Sequence, residues 1–172
     1  SSGAAFNLNP AQWSMEGGFM SSSSTVISPT GTTVRANPNT SDFRAYRKRP
    51  AYDGRVRAQF TATSSAPFHE LYARRDPANA FNTSAEQYIL RLDGSTLTLR
   101  GYYNGTNNVL ATATVPTAIA NLVVTHMELE CIGGCLRGLV NGKEFINVTN
   151  YNIQHEGWWG VGQPVNGQGA SV

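Results

Sequence analysis

The chain has 172 residues, of which 14% are charged and 40% are hydrophobic, and its formal net charge is +2 at pH 7. That length suits one domain with a sizeable core. The basic residues are nearly all arginine and are scattered, which argues against a nucleic-acid-binding surface. No run approaches the roughly 18 consecutive apolar residues of a membrane span. The start, SSGAAFNLNP, also lacks the layout of a signal peptide, so any export signal is expected to be absent or already removed.

The first third of the chain predicts short strands between turns. An opening segment at residues 6–19 contains Trp13, and short strands are expected at residues 25–27 and 32–36. The segment FRAYRKRP ends on Pro50, which cannot donate to a strand ladder, so it is expected near a sheet edge.

Strict alternation marks the clearest strand, RVRAQFTAT at residues 55–63. Its inward side chains are expected to be Val56, Ala58, Phe60 and Ala62. Its outward side chains are expected to be Arg55, Arg57, Gln59 and Thr61. Another strand is expected at residues 68–74. The loop that follows, at residues 75–85, is longer than usual for a compact all-strand domain, which makes it a candidate functional loop.

A second hairpin is predicted where EQYILRLD and STLTLRGYY flank Asp93-Gly94. One face of its first arm carries Tyr88, Leu90 and Leu92. Asn104-Gly105 and then Asn107-Asn108 are expected to turn the chain into the strand VLATATV. Residues 116–121 fit a single helical turn.

The stretch LVVTHMELECIGGCLRGLVNGKEFINV, residues 122–148, predicts a three-stranded meander with hairpins at Gly133-Gly134 and Asn141-Gly142. A two-residue turn at Gly133-Gly134 places one set of six side chains on a buried face: Met127, Leu129 and Cys131 opposite Val140, Gly138 and Leu136. The outward set is then His126, Glu128, Glu130, Arg137 and Leu139.

The alternative for this hairpin is a three-residue turn. It would place Cys131 opposite Cys135, where a disulfide could form, but it would also bring Arg137 onto the apolar face. We favour the two-residue turn because burying an unpaired charge is costly.

The closing motif GWWGVG, residues 157–162, predicts a strand with one tryptophan facing inward and its neighbour outward. The whole chain, residues 1–172, is expected to form one domain whose termini, about residues 1–5 and 165–172, are loosely held.

Many short strands, frequent hairpin signals and little helix predict an all-β fold, a two-sheet antiparallel β-sandwich. The order of RVRAQFTA, LYARRD…QYILRLDG, VTHMELECIGGCLRGLVNGKEF and GWWGVG resembles the laminin G-like and concanavalin A-like jelly rolls of the lectin-glucanase superfamily. In that family the closing strand returns to pair beside the opening strand. The resemblance covers roughly residues 6–165 and implies a jelly roll, a fold that hosts lectins, glucanases, lyases, adhesion modules and virion components.

Catalysis by a retaining glycosidase needs two carboxylates about 5 Å apart. Glu128 and Glu130 share one strand face, but their position beside Arg137 favours a cross-strand charge ladder. Other acid–base candidates are His69 with Glu70, His126 with Glu128, and His155 with Glu156. Adjacent strand residues point to opposite faces, so the first and last of these pairs cannot act together. A lone histidine such as His126 is more often a structural residue than a catalyst. We therefore predict no catalytic residue.

Calcium is the ion that the resemblance implies, and Asp76 is the best candidate ligand. Asp76 lies between Arg75 and Pro77, where a turn-forming role is favoured over metal binding. No cofactor is predicted.

A set of aromatic and amide side chains combines flat apolar faces with polar edges, the combination that binds sugar rings. Its members are Tyr102, Tyr103, Asn104, Tyr151, Asn152, Trp158 and Trp159. The alternative is that several of them fill the sandwich core. The leading hypothesis is a non-catalytic module on an extracellular or virion surface that binds glycans or docks on protein.

Two other functions stay open. One is a structural virion protein, a capsid decoration or tail component, with a capsid, tail or homo-oligomeric partner. The other is an enzyme of the glucanase or lyase type.

Overall fold

The computed structural model describes residues 13–16, 43–61, 68–79, 85–120 and 124–163. In chain order the strands are β1 (Trp13–Glu16), β2 (Phe43–Ala51), β3 (Gly54–Thr61), β4 (His69–Arg75), β5 (Gln87–Asp93), β6 (Thr96–Tyr103), β7 (Thr106–Thr114), β8 (Val124–Ile132), β9 (Cys135–Val140), β10 (Lys143–Thr149) and β11 (Gly157–Gln163). A 3₁₀ turn spans Pro77–Asn79, and one helical turn, α1, spans Thr117–Ala120. The strands expected at residues 25–27 and 32–36, and both expected loose termini, lie outside the described residues.

The strands form two antiparallel sheets, as the sequence predicts. One has seven strands in the order β1-β2-β11-β4-β5-β6-β7, and the other has four in the order β10-β9-β8-β3. Their inner faces enclose one apolar core, to which nearly every strand contributes through alternate residues. The fold is therefore the expected all-β sandwich.

The meander has the predicted register. Cys131 pairs with Leu136, Leu129 with Gly138 and Met127 with Val140, and all six residues are buried. Asn141 and Gly142 both have positive φ, 49° and 78°, the geometry of a tight two-residue hairpin turn.

The two cysteines are free, as this register predicts. Cys131 lies in the core, where burial raises the pKa of its thiol to about 12. Cys135 lies on the opposite side of the sheet, partly exposed.

Two predictions about connections are wrong. Asn107 and Asn108 do not form a turn, because Asn104 and Gly105, both at positive φ, already reverse the chain and the strand resumes at Thr106. The closing strand β11 also does not pair with the opening strand. It lies between β2 and β4, and β2 separates it from the short edge strand β1.

A bulge in β4 changes which residues face inward. Gly160 and Trp158 of β11 pair with Tyr72 and Arg75. Between these two pairs β4 advances by three residues and β11 by two, so β4 carries one extra residue. The extra residue, Arg74, has a φ of 54°. The bulge places Arg74 inside the end of the sandwich, while the guanidinium of Arg75 lies over the ring of Tyr46 at 4.5 Å.

Arg74 is fully buried and binds three connections at once. Its Nε donates to the carbonyl of Tyr52 at 2.7 Å, its Nη1 to the carbonyl of Ile153 at 2.9 Å, and its Nη2 to the carbonyl of Gly133. The Tyr52 ring lies 3.9 Å from the guanidinium carbon. One cation therefore joins the β2–β3, β8–β9 and β10–β11 connections.

Replacing Arg74 by methionine keeps most of the side-chain volume but leaves three carbonyls without their donors. Because an unsatisfied buried polar group costs about 1–3 kcal/mol, we expect Arg74→Met to lower the free energy of unfolding by at least about 3 kcal/mol in urea titrations. Arg57→Met is the control, since the exposed Arg57–Glu128 pair is worth about 1 kcal/mol at most. Equal losses in the two variants would contradict the role of Arg74.

A histidine in the core makes the free energy of unfolding depend on pH. His69 of β4 stacks on Phe60 of β3 with ring centroids 4.5 Å apart, and burial lowers the pKa of His69 to about 4. Between pH 6.5 and 4 the unfolded chain binds a proton at this position and the folded chain does not. Lower pH therefore favours unfolding across that window.

We expect the wild-type free energy of unfolding to fall by roughly 2 kcal/mol between pH 7 and pH 5, at up to about 1.4 kcal/mol per pH unit. His69→Phe retains an aromatic ring and cannot titrate, so most of this fall should disappear. Urea unfolding at the two pH values measures it. An unchanged pH slope in His69→Phe would show that another group is responsible.

Candidate functional site

The outer side of the seven-stranded sheet carries polar side chains that are buried or half-buried outside the apolar core. Alternation along the strands points them away from the four-stranded sheet. We call this surface the polar face, and its main members are Arg44, Tyr46, Glu70, Tyr72, Gln87, Arg91, Arg100, Tyr102 and Asn107. Tyr46, Tyr72 and Tyr102 are each at most 5% exposed, yet none belongs to the core cluster.

Gly160 of β11 allows long side chains to meet across this face. Gly160 pairs with Tyr46 on one side and Tyr72 on the other, and the two tyrosine rings approach to 5.1 Å. A Cβ atom at Gly160 would lie 2.3 Å from the carbonyl oxygen of Ala45 and 2.7 Å from the Tyr46 ring. Position 160 therefore has no room for a side chain.

The carboxylate of Glu70 is held in the middle of the polar face. It accepts hydrogen bonds from the Tyr72 hydroxyl and from Arg91, and it is 1% exposed. Burial, followed by the charge of Glu70, raises the pKa of Tyr72, so the phenol stays protonated and donates. Arg44 Nε donates to the same hydroxyl at 3.2 Å. Glu70 is thus a fixed anion with its donors in place.

Three other atoms of the polar face are buried without a hydrogen-bond partner: Gln87 Oε1, Arg100 Nε and Asn107 Oδ1. Gln87 and Asn107 pair with Tyr102 from either side, and Arg100 lies two residues before it on the same face. We call these four residues the Arg100 cluster. Burial lowers the pKa of Arg100, and the positive charge of Arg91 adds to that effect. Native proteins rarely leave buried polar atoms unpaired, so the cluster is a candidate binding site.

The aromatic and amide residues singled out from the sequence are spread over three environments. Tyr102 belongs to the Arg100 cluster, and its hydroxyl donates to the carbonyl of Gly105 at 3.0 Å. Tyr103 packs against the apolar core. Trp159 is 9% exposed and belongs to the apolar core, which agrees with the alternative that some of these residues fill the core. Its indole N–H donates a hydrogen bond to the carbonyl of Ala51 at 3.0 Å.

The remaining members are more accessible. Asn104 lies in the exposed β6–β7 turn, Trp158 is partly exposed next to Arg75, and Tyr151 and Asn152 are exposed in the β10–β11 connection. That any of the seven residues binds a ligand stays a prediction.

Sequence reasoning missed Gln87, Arg100 and Asn107. The available signal was the outward set of EQYILRLD and STLTLRGYY, whose polar residues face the same side as Tyr102. Of the outward residues of these two strands, the sequence-based interpretation uses only Tyr102, and it places Asn107 in a turn.

Glu128 and Glu130 are paired with arginines on the outer side of the four-stranded sheet. Arg55 and Arg57 bind Glu128 at 2.9 and 2.5 Å, and Arg137 binds Glu130 at 2.8 Å. Hydrogen bonds from Arg55 and then Arg137 lower the pKa of Glu130. A general acid needs the opposite shift, so the charge-ladder interpretation fits this pair.

Asp76 has a local role in the turn after β4. Its Oδ1 accepts a hydrogen bond from the backbone N–H of Ala78 at 2.9 Å, at the start of the 3₁₀ turn. Within the described ranges, no three histidine, cysteine, aspartate or glutamate side chains are grouped so that they could hold a metal ion. The described part of the chain also contains no helix long and apolar enough to cross a membrane.

The chain shares its fold with carbohydrate-binding modules and glucanases of known structure. The carbohydrate-binding module CBM66 from Bacillus subtilis superposes with a TM-score of 0.64 at 16% identity, over 88% of this chain and 86% of the module. The β-glucanase of Bacillus licheniformis gives 0.59 at 13%, over 96% and 86%. A lichenase derived from a mouse hindgut metagenome gives 0.62 at 11%, over 94% and 84%.

These comparisons confirm the predicted fold, a two-sheet β-sandwich of the jelly-roll type. Membership of the lectin-glucanase superfamily stays a prediction. The likeness to laminin G modules stays a prediction. No protein-family model matches the chain, and a search of curated proteins finds no match. Because the similar structures include a binding module as well as enzymes, the fold is compatible with both activities.

Gly160→Ala tests how the polar face is built. Its methyl group would collide with the backbone of β2, which cannot rotate away, so β2 and β11 must separate. We expect a loss of about 1–3 kcal/mol in the free energy of unfolding, the usual cost of overpacking. Near-ultraviolet circular dichroism should change as well, because the contact between Tyr46 and Tyr72 loosens. Thr112→Ala, exposed on β7, is the control, and a loss no larger than the control's would refute the close packing.

Proposed function

We propose that the chain is a non-catalytic glycan-binding module and that the polar face is its binding surface. The observation that carries this proposal is the set of three unpaired polar atoms in the Arg100 cluster. Two are amide oxygens that accept hydrogen bonds, and the third is a guanidinium nitrogen that donates one. Sugar hydroxyls both donate and accept, so a single sugar residue can satisfy acceptors and donor together.

Trp158 extends the proposed surface. It lies on β11, four strand intervals from Asn107 on β7, which corresponds to about 19 Å at the usual spacing between neighbouring strands. A glycan of several sugar units is therefore needed to contact both positions. The partly exposed indole of Trp158 offers a flat face on which a sugar ring can stack.

The similar folds support this proposal. They include a carbohydrate-binding module and glucanases, all proteins whose names refer to carbohydrates. A role in binding without hydrolysis is favoured because arginines hold Glu70, Glu128 and Glu130 in ion pairs. An extracellular location belongs to the proposal. Nothing in the described residues favours the capsid or tail role.

The test is binding to a glycan array, followed by titration of the best ligands. A hydrogen bond between neutral groups contributes about 0.5–1.5 kcal/mol, so Asn107→Ala and Gln87→Ala should each weaken binding roughly two- to twelvefold. Trp158→Ala should weaken binding to long glycans more than to short ones.

Asn147→Ala is the matched control, because Asn147 is exposed on β10 in the other sheet. Thermal melts establish that each variant is folded. The proposal is wrong if the wild type binds no glycan on the array, or if Asn107→Ala and Asn147→Ala bind equally well. Release of reducing sugar from a bound glycan would replace it with an enzymatic function.

A further inference from the structure

The charges around the Arg100 cluster are unbalanced. Glu70 carries one negative charge, and Arg91 already forms the ion pair with it. Arg100 pairs across the strands with Ile89 on one side and Val109 on the other, so its direct cross-strand neighbours are uncharged. Among the described residues no carboxylate forms an ion pair with Arg100. Arg91 repels its charge, and the attraction of the more distant Glu70 carboxylate only partly offsets that repulsion.

We propose that the Arg100 cluster binds an anionic group on the glycan, either the carboxylate of a uronic acid or a sulfate ester. This inference rests on the proposed function and names its ligand class. The Nε of Arg100 has no hydrogen-bond partner. From this side of the guanidinium, arginine can donate two parallel hydrogen bonds to the two oxygens of such an anionic group.

The neighbours of Arg100 suit the rest of an acidic sugar. Gln87 is only 4% exposed and Asn107 lies on the edge strand, and each has an unpaired amide oxygen that can accept from a hydroxyl beside the anionic group. Val109, 60% exposed and directly opposite Arg100, offers an apolar surface to the C–H side of the ring.

A neutral sugar is the weaker ligand for physical reasons. Covering Arg100 removes water from a charge that is already partly buried, and desolvation without a counter-ion costs free energy. An anionic group supplies the counter-ion at the same time as it covers the guanidinium. The cluster should therefore select for negative charge on the glycan.

The experiment compares charged and neutralised forms of the same polymers. The probes are polygalacturonate and its methyl ester, together with a sulfated galactan and its desulfated form, measured by affinity electrophoresis and calorimetry. We expect the wild type to bind one acidic form at least about tenfold more tightly than its neutral counterpart, as hydrogen bonds to charged groups predict. Whichever pair shows the preference identifies carboxylate or sulfate as the source.

Arg100→Gln should remove that preference, and it should weaken binding of the neutral form only by the roughly two- to twelvefold that one lost hydrogen bond predicts. Arg100→Lys should retain part of it, because lysine keeps the charge without the paired donors. Arg57→Gln is the matched control on the outer side of the other sheet. Raising the salt concentration should weaken acidic binding in the wild type more than in Arg100→Gln.

The outcomes separate this inference from the proposed function. Equal binding of charged and neutral polymers by the wild type overturns the inference but leaves glycan binding in place. A preference that survives in Arg100→Gln and disappears in Arg57→Gln moves the anionic site to the other sheet and also overturns it. Absence of binding to every polymer and to the glycan array overturns both proposals.

Discussion

The buried guanidinium of Arg74 is the interaction on which one whole end of the sandwich depends. It donates hydrogen bonds to the carbonyls of three chain connections that are far apart in sequence, and the Asp53 carboxylate lies 3.6 Å from its Nη2. The bulge in β4 makes this possible, because it turns the side chain of Arg74 toward the core and that of Arg75 toward the outer side of the sheet. The same bulge therefore fixes the end of the core and sets which side chains of β4 appear on the polar face.

The two outer surfaces of the sandwich differ in how their charges are arranged. On the four-stranded sheet, arginines and glutamates alternate between neighbouring strands and nearly neutralise one another: Arg55, Arg57 and Arg137 with Glu128, Glu130 and Glu144. On the seven-stranded sheet, Glu70 is outnumbered by arginines, and several polar atoms have no partner. A surface whose charges are already paired forms few new hydrogen bonds when it binds a ligand. A surface with unpaired donors and acceptors can form several.

Local signals predicted the hairpins and the inward residues of the strands. Gly133-Gly134 fixed a register that the structure confirms, because slipping by one residue would bury Arg137. The polar face could not be predicted in the same way. Alternation tells which residues of a strand point outward, but only the sheet order brings β11 between β2 and β4 and so places Tyr46 against Tyr72. The bulge at Arg74 has no signal in the pattern ARRD that separates it from a regular strand.

The positions of the two cysteines decide whether the native fold can contain a disulfide. The chain contains two cysteines in all, Cys131 and Cys135, and the meander sends their side chains to opposite sides of the sheet. A bond between them would require the hairpin to change register, which would expose the apolar face of β8 and β9. The native register therefore excludes a disulfide between Cys131 and Cys135, and the meander is held by packing and hydrogen bonding.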